Sequence, residues 1–162
     1  MASSTGAERG EVLNIFKNSL PADIHGLDIR RITELFGEFG YVCKTQGKLR
    51  GISGNLHEFD FVCTKLDTGE KIILDSFLKA DKSEESQEIE MVKIRLKTYD
   101  CSPDICIVIA PSLTPSMRDM ASLYRISLIE AAEEKGPYDQ LESLLRLREG
   151  DSKRKNPMHG LA

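Results

Sequence analysis

The sequence predicts an α/β sandwich with a mixed central sheet, and three observations carry the prediction. Three consecutive strand-like segments lie between helix-period segments. Strand and helix patterns then alternate to the end of the chain. Finally, the run Ile105 to Ile109 is apolar at every position, as a central strand covered on both faces requires. The 162 residues contain no Pro/Gly/Ser-rich linker, so a single domain over 1–150 is expected.

Taken in order, Glu11 to Leu20 carries Val12, Leu13, Ile15, Phe16 and Leu20 on a helical period, and Pro21 closes it. Asp28 opens a second helix whose apolar face is Ile29, Ile32, Leu35, Phe36 and Phe39, with Gly40 as its exit. Three strands follow, Tyr41 to Lys48, Leu56 to Thr64 and Glu70 to Phe77, the last two joined by the turn Asp67-Thr68-Gly69. They read as an antiparallel meander. Ser83 to Thr98 returns to helical period, and Ile89, Val92, Leu96 and Tyr99 are assigned to its packed face. After the strand at Ile105 come a helix from about Thr114 to Leu123, a strand from Ile126 to Ile129 and a helix from about Tyr138 to Arg148. The basic segment 151–162, with Lys153, Arg154, Lys155 and Pro157, lacks apolar periodicity and is expected to be a disordered tail.

Lys and Arg total 22 against 26 Asp and Glu, for a net charge of -4, so contact with nucleic acid would need a local basic patch. No signal-like start and no apolar run of spanning length is present, which predicts a cytoplasmic chain without membrane contact. The four cysteines, Cys43, Cys63, Cys101 and Cys106, lack paired CxxC spacing and fall mostly in apolar runs. They are expected to be reduced and largely buried.

Chemistry concentrates in the meander. Asp60 lies inside one strand and Asp75 inside the next, where a carboxylate is costly unless it is paired, hydrogen-bonded or holding a cation. Strict alternation would put Glu58, Asp60 and Val62 on one face and His57, Phe59, Phe61 and Cys63 on the other. Lys44, Lys48 and Arg50 precede this region; they suit phosphate contacts and equally suit an exposed strand shielded by charge. His57 reads more simply as a packed or exposed side chain than as a ligand.

Over roughly Asp28 to Glu130 the sequence resembles the PD-(D/E)XK restriction-endonuclease-like superfamily, and within it the Mrr-like group. The loop Gly51-Ile52-Ser53-Gly54 leading to Asp60 is similar to the family's lead into its first metal-binding aspartate. Asp75 resembles the second acidic ligand, and Leu113 to Ile129 resembles the late helix and strand. The resemblance implies a three-layer sandwich and Mg²⁺-dependent hydrolysis of DNA phosphodiesters, with Asp60 and Asp75 as metal ligands and Glu34, on the preceding helix, as an additional acid. The family's lysine belongs two residues after the second acid, and Phe77 stands there. Lys79, on the same side of a continued strand, completes the expected catalytic set of Asp60, Asp75 and Lys79; Lys93 on the following helix is the other substitute. The alternative is an inactive nuclease-fold module that binds nucleic acid or a protein partner. DNA is the expected partner, with a homo-dimer or a protein partner as the remaining options.

Overall fold

The structure, a computed structural model, describes residues 22–78 and 83–155. The predicted helix at Glu11 to Leu20 lies outside these residues, as does Lys79.

A two-residue-loop hairpin, β1 (Asp23–Ile24) and β2 (Leu27–Asp28), leads into α1 (Ile29–Glu38). Its loop, His25-Gly26, has positive φ at both residues (50° and 86°), the conformation that a tight hairpin turn demands and that a histidine seldom adopts. Asp28 caps α1 by accepting from the Arg31 N–H. The antiparallel strands β3 (Tyr41–Arg50), β4 (Leu56–Lys65) and β5 (Lys71–Ser76) follow as the meander predicts. Helix α2 (Glu84–Cys101), capped by Ser83, crosses to β6 (Ile105–Ala110), which pairs parallel with β5. Helix α3 (Pro115–Tyr124), capped by Thr114, crosses to β7 (Ile126–Glu130), and α4 (Pro137–Lys155) closes the described chain. Residues 151–155, assigned to a tail by the sequence, continue α4, where Lys153 pairs one turn back with Glu149.

The five-stranded sheet, in the order β3-β4-β5-β6-β7, is the middle of three layers. On one face Ile24, Leu27, Ile32, Phe36, Leu141 and Leu145, from the hairpin, α1 and α4, pack on Phe61, Cys63, Ile72, Leu74, Ile107, Ile109 and Ile129. On the other, Met91 and Ile94 of α2 and Met117 and Ala121 of α3 pack on Phe59, Val62, Ile73, Phe77, Cys106, Val108 and Ala110. The α/β sandwich with a mixed sheet flanked by helices, predicted from the sequence, is what forms.

Three further expectations fail. Helix α2 is rotated from its predicted setting: Gln87, Met91, Ile94 and Thr98 are buried, whereas Ile89, Val92, Leu96 and Tyr99 are exposed. Cys43 and Cys63, directly opposite on β3 and β4 with Cα atoms 4.0 Å apart, are joined as a disulfide, because cross-strand opposition supplies the proximity that sequence spacing of 20 conceals. Lastly, alternation along β4 breaks at Asp60: Phe59 and Val62 share one face while Phe61 and Cys63 take the other. The β3–β4 register omits Gln46 and Asp60 in the same place, and Gln46 has a positive φ of 49°. The strand pair is kinked where the first acid sits.

Candidate functional site

The kink and the carboxyl end of β5 bring Asp60 and Asp75 side by side. The Asp60 N–H donates to Asp75 Oδ1 at 2.8 Å, and the Ser76 N–H (2.9 Å) and hydroxyl (3.3 Å) donate to Asp60 Oδ2. Each acid thus accepts the backbone of the other strand. Both residues are buried, at 8% and 6% exposure, so these bonds offset a desolvation that an isolated carboxylate could not bear.

Two cationic or ionisable side chains complete the cluster, and neither was predicted. From the last turns of α2, Lys97 Nζ donates to Asp75 Oδ2 at 2.7 Å and to the Glu58 carbonyl at 2.8 Å, 4.6 Å above the Phe59 ring. Phe59 reaches that position because the kink turns it toward α2. From the β1–β2 loop, His25 Nδ1 lies 3.0 Å from Asp60 Oδ2, with its side chain 56% exposed. Burial pushes the Asp75 carboxyl above the ordinary carboxylate range, and Lys97 pulls it back without cancelling the shift.

Of the two predicted lysines, Lys79 lies outside the described residues and Lys93 is not part of this cluster. Lys93, one turn before Lys97, is exposed and paired with Glu90 at 3.3 Å. Phe77 points to the same face as Asp75 but is buried against the α2 and α3 layer, so the family's lysine position is occupied by core. Glu34 does not join the acids either: it is exposed, paired with Arg30 at 2.8 Å, and lines a groove between α1 and α4 with Tyr138 and Glu142.

The Gly51-Ile-Ser-Gly54 loop has a different task from the acids it precedes. Asp100, at the end of α2, accepts Ser53 Oγ (2.6 Å) and His57 Nε2 (2.6 Å) on Oδ2 and the Ser53 N–H (2.9 Å) on Oδ1. The Ile52 N–H donates to the Asp100 carbonyl. Gly51 is required because a Cβ there would lie 1.8 Å from Asp100 Oδ2, and Gly54 because its φ is +87°. The Ser53 hydroxyl and N–H, with His57, hold the Asp100 carboxyl at about 2. This clamp fixes the rotation and height of α2 three residues from Lys97.

Mg²⁺ takes one or two protein carboxylates and fills its remaining positions with water and substrate oxygens. Asp60 Oδ1 has no hydrogen-bond partner among the described residues, and Asp75 Oδ2 is shared with a lysine that can swing aside. That donor pair fits a magnesium ion of the substrate-completed kind. A closed site built wholly from protein does not fit, since among the described residues no group of three or more His, Cys, Asp or Glu side chains is spaced to hold a metal.

No known family's sequence profile matches the chain, and no curated protein does. Among solved structures, "Protein of Unknown Function AF1548" is similar with a TM-score of 0.51 and 18% sequence identity, over 70% of this chain. The match spans 62% of the AF1548 chain, and at that identity it shows a shared fold alone.

Proposed function

We infer that the chain is a divalent-cation-dependent phosphodiesterase of the PD-(D/E)XK type acting on DNA, with Lys97 of α2 in place of the strand lysine. The observation that carries this reading is the 2.7 Å contact of Lys97 Nζ with Asp75, on a strand whose neighbour presents Asp60. An amine, two adjoining carboxylates and a free carboxylate oxygen are the parts that such hydrolysis uses, gathered from three elements.

Asp60 and Asp75 would hold the cation, which supplies Lewis acidity that activates water and screens the phosphate. Lys97 is poised to leave Asp75 for a non-bridging phosphate oxygen or the attacking water, and the Glu58 carbonyl and the Phe59 face keep it aimed meanwhile. The ring of His25 is oriented by Asp60, and its other nitrogen has no partner among the described residues. With Nδ1–H donated to Asp60, that other nitrogen of the neutral imidazole holds a lone pair and would take a proton from the attacking water. Lys44, Lys48 and Lys71 line a groove of about 200 Å³ along the edge strand with no acidic residue in its wall. Such a strip suits phosphate contacts that position a duplex without reading its bases.

The second reading, a nuclease fold that binds without cutting, is favoured by buried Phe77 and by the engagement of both Asp75 oxygens within the chain. Titration with Mn²⁺ separates the two. The nuclease reading predicts a higher melting temperature for wild type in millimolar-scale Mn²⁺, no change for Asp60→Asn, and cleavage of plasmid DNA by wild type alone. DNA binding without a thermal shift or cleavage supports the binding module instead.

A further inference from the structure

Helix α2 carries two apolar stripes on opposite sides, and only one meets the sheet. The other, Ile89, Val92, Leu96 and Tyr99, is 50%, 43%, 66% and 72% exposed. Its intervals of three, four and three residues are those of alternating a and d positions in a two-helix seam. Scattered exposed apolar residues are ordinary, but four in line over three turns of one helix form a contact surface.

The flanks of the stripe say what fits it. Glu88 and Arg95 border it on the α3 side, where Glu88 accepts from Ser116 and the Arg95 guanidinium lies 5.3 Å from the Tyr124 ring. Lys93 and Asp100 border it on the other side, toward the Ser53–His57 clamp. If two copies of α2 lie parallel and in register, each g position comes level with the partner's e position five residues on. Glu88 then meets Lys93 of the second copy, a pair opposite in charge, while Arg95 comes level with Asp100, whose oxygens are already bonded in the clamp and which adds only the favourable sign of its charge. An antiparallel pairing would instead set Lys93 against Lys93 and Arg95 against Arg95. The flanks therefore select one arrangement and disfavour the other.

We propose that the exposed stripe of α2 is a self-association surface, and that two copies of this chain pair through it with their α2 helices parallel about a two-fold axis. The pairing is independent of any reading of the Asp60–Asp75 cluster. A seam of three turns makes a weak contact, so the dimer is concentration-dependent.

Sedimentation equilibrium of the full chain over roughly 10 to 500 µM tests this, because weak dimers assemble in that range. Wild type is expected to approach a dimer, and Leu96→Glu to remain monomeric at every concentration. Lys93→Glu, which places two acids together across the seam, is expected to weaken association by about tenfold. Under mild oxidation Leu96→Cys is expected to cross-link to its own counterpart, mapped by mass spectrometry, since the parallel pair sets position 96 against itself, whereas the antiparallel pair, centred near residue 94, sets it against Val92. A wild type that stays monomeric, a dimer indifferent to Leu96→Glu, or a dimer in which the 96–96 cross-link fails to form would each overturn the proposal. Should wild type be monomeric, the melting temperature of Leu96→Glu identifies the true occupant: a lowered value points to cover by the chain's own residues 1–21, and an unchanged value to another protein.

Discussion

The chain contains two acid–histidine constellations, Asp60 with His25 and Asp100 with His57, each with one member on β4, and they are put to opposite use. Around Asp100 every polar bond closes within the chain: one oxygen takes Ser53 Oγ and His57, the other takes the Ser53 N–H, and Gly51 leaves no room beneath. Around Asp60 one carboxylate oxygen and one ring nitrogen remain without partners among the described residues, and the neighbouring Asp75 is held at a desolvation penalty that Lys97 offsets only in part. Residue types alone do not separate a structural clamp from a candidate reactive centre. What separates them is which groups are left available and which are held at a penalty.

The largest effect expected from breaking this contrast is Gly51→Ala. The new Cβ collides with the Asp100 carboxylate, so the clamp opens and the protein loses about 2–3 kcal/mol by overpacking and lost hydrogen bonds. Urea unfolding measures it, and Gly54→Ala, strained only by its positive φ, is expected to lose about 1 kcal/mol.

Next in size, removing the two charges should move stability in opposite directions. The Asp100 pKa is depressed to about 2, so its contribution is present above the unfolded value near 4 and disappears as pH falls between the two. Asp100→Asn should therefore be less stable than wild type at neutral pH, with the gap closing in acid. The Asp75 pKa is raised, so the folded state loses stability as pH climbs through it. Asp75→Asn keeps an acceptor for the Asp60 N–H and sheds the buried charge; its melting temperature is expected to exceed that of wild type at neutral pH, with the advantage fading as the solution is acidified. The smallest effect is at His25→Ala, where an exposed side chain contributes little to folding: stability within about 0.5 kcal/mol of wild type and a loss confined to turnover are expected.

The meander, both crossover helices and the late strands were legible because each announces itself locally, by period, by Asp28, Ser83 and Thr114 as caps, and by the turn at Gly69. The rotation of α2 was not, since its two stripes have the same helical spacing and the exposed one is the more apolar. Gln87 and Thr98 are buried in their stead because Lys97 and Asp100 anchor the helix to β4, β5 and the Gly51 loop. For the site, Asp60 and Asp75 could be picked out as acids embedded in strand patterns. His25 could not, because its contact with Asp60 spans 35 residues and depends on a hairpin too short to show periodicity. Lys97 was one helical turn from a residue already considered, and only the true rotation of α2 distinguishes it from Lys93.

The role proposed for Lys97, the amine beside Asp75, is tested by single-turnover cleavage of supercoiled plasmid in Mn²⁺ by wild type, Lys97→Gln and Lys97→Arg, each verified as folded by circular dichroism. Lys97→Gln is expected to lose about 1–2 kcal/mol of stability, since the partly exposed ion pair to Asp75 is broken. Cleavage is expected to fall about 100-fold or more in Lys97→Gln and to recover in part in Lys97→Arg, which restores the positive charge. Cleavage that proceeds at the wild-type rate in folded Lys97→Gln would show that Lys97 is not the amine of the site.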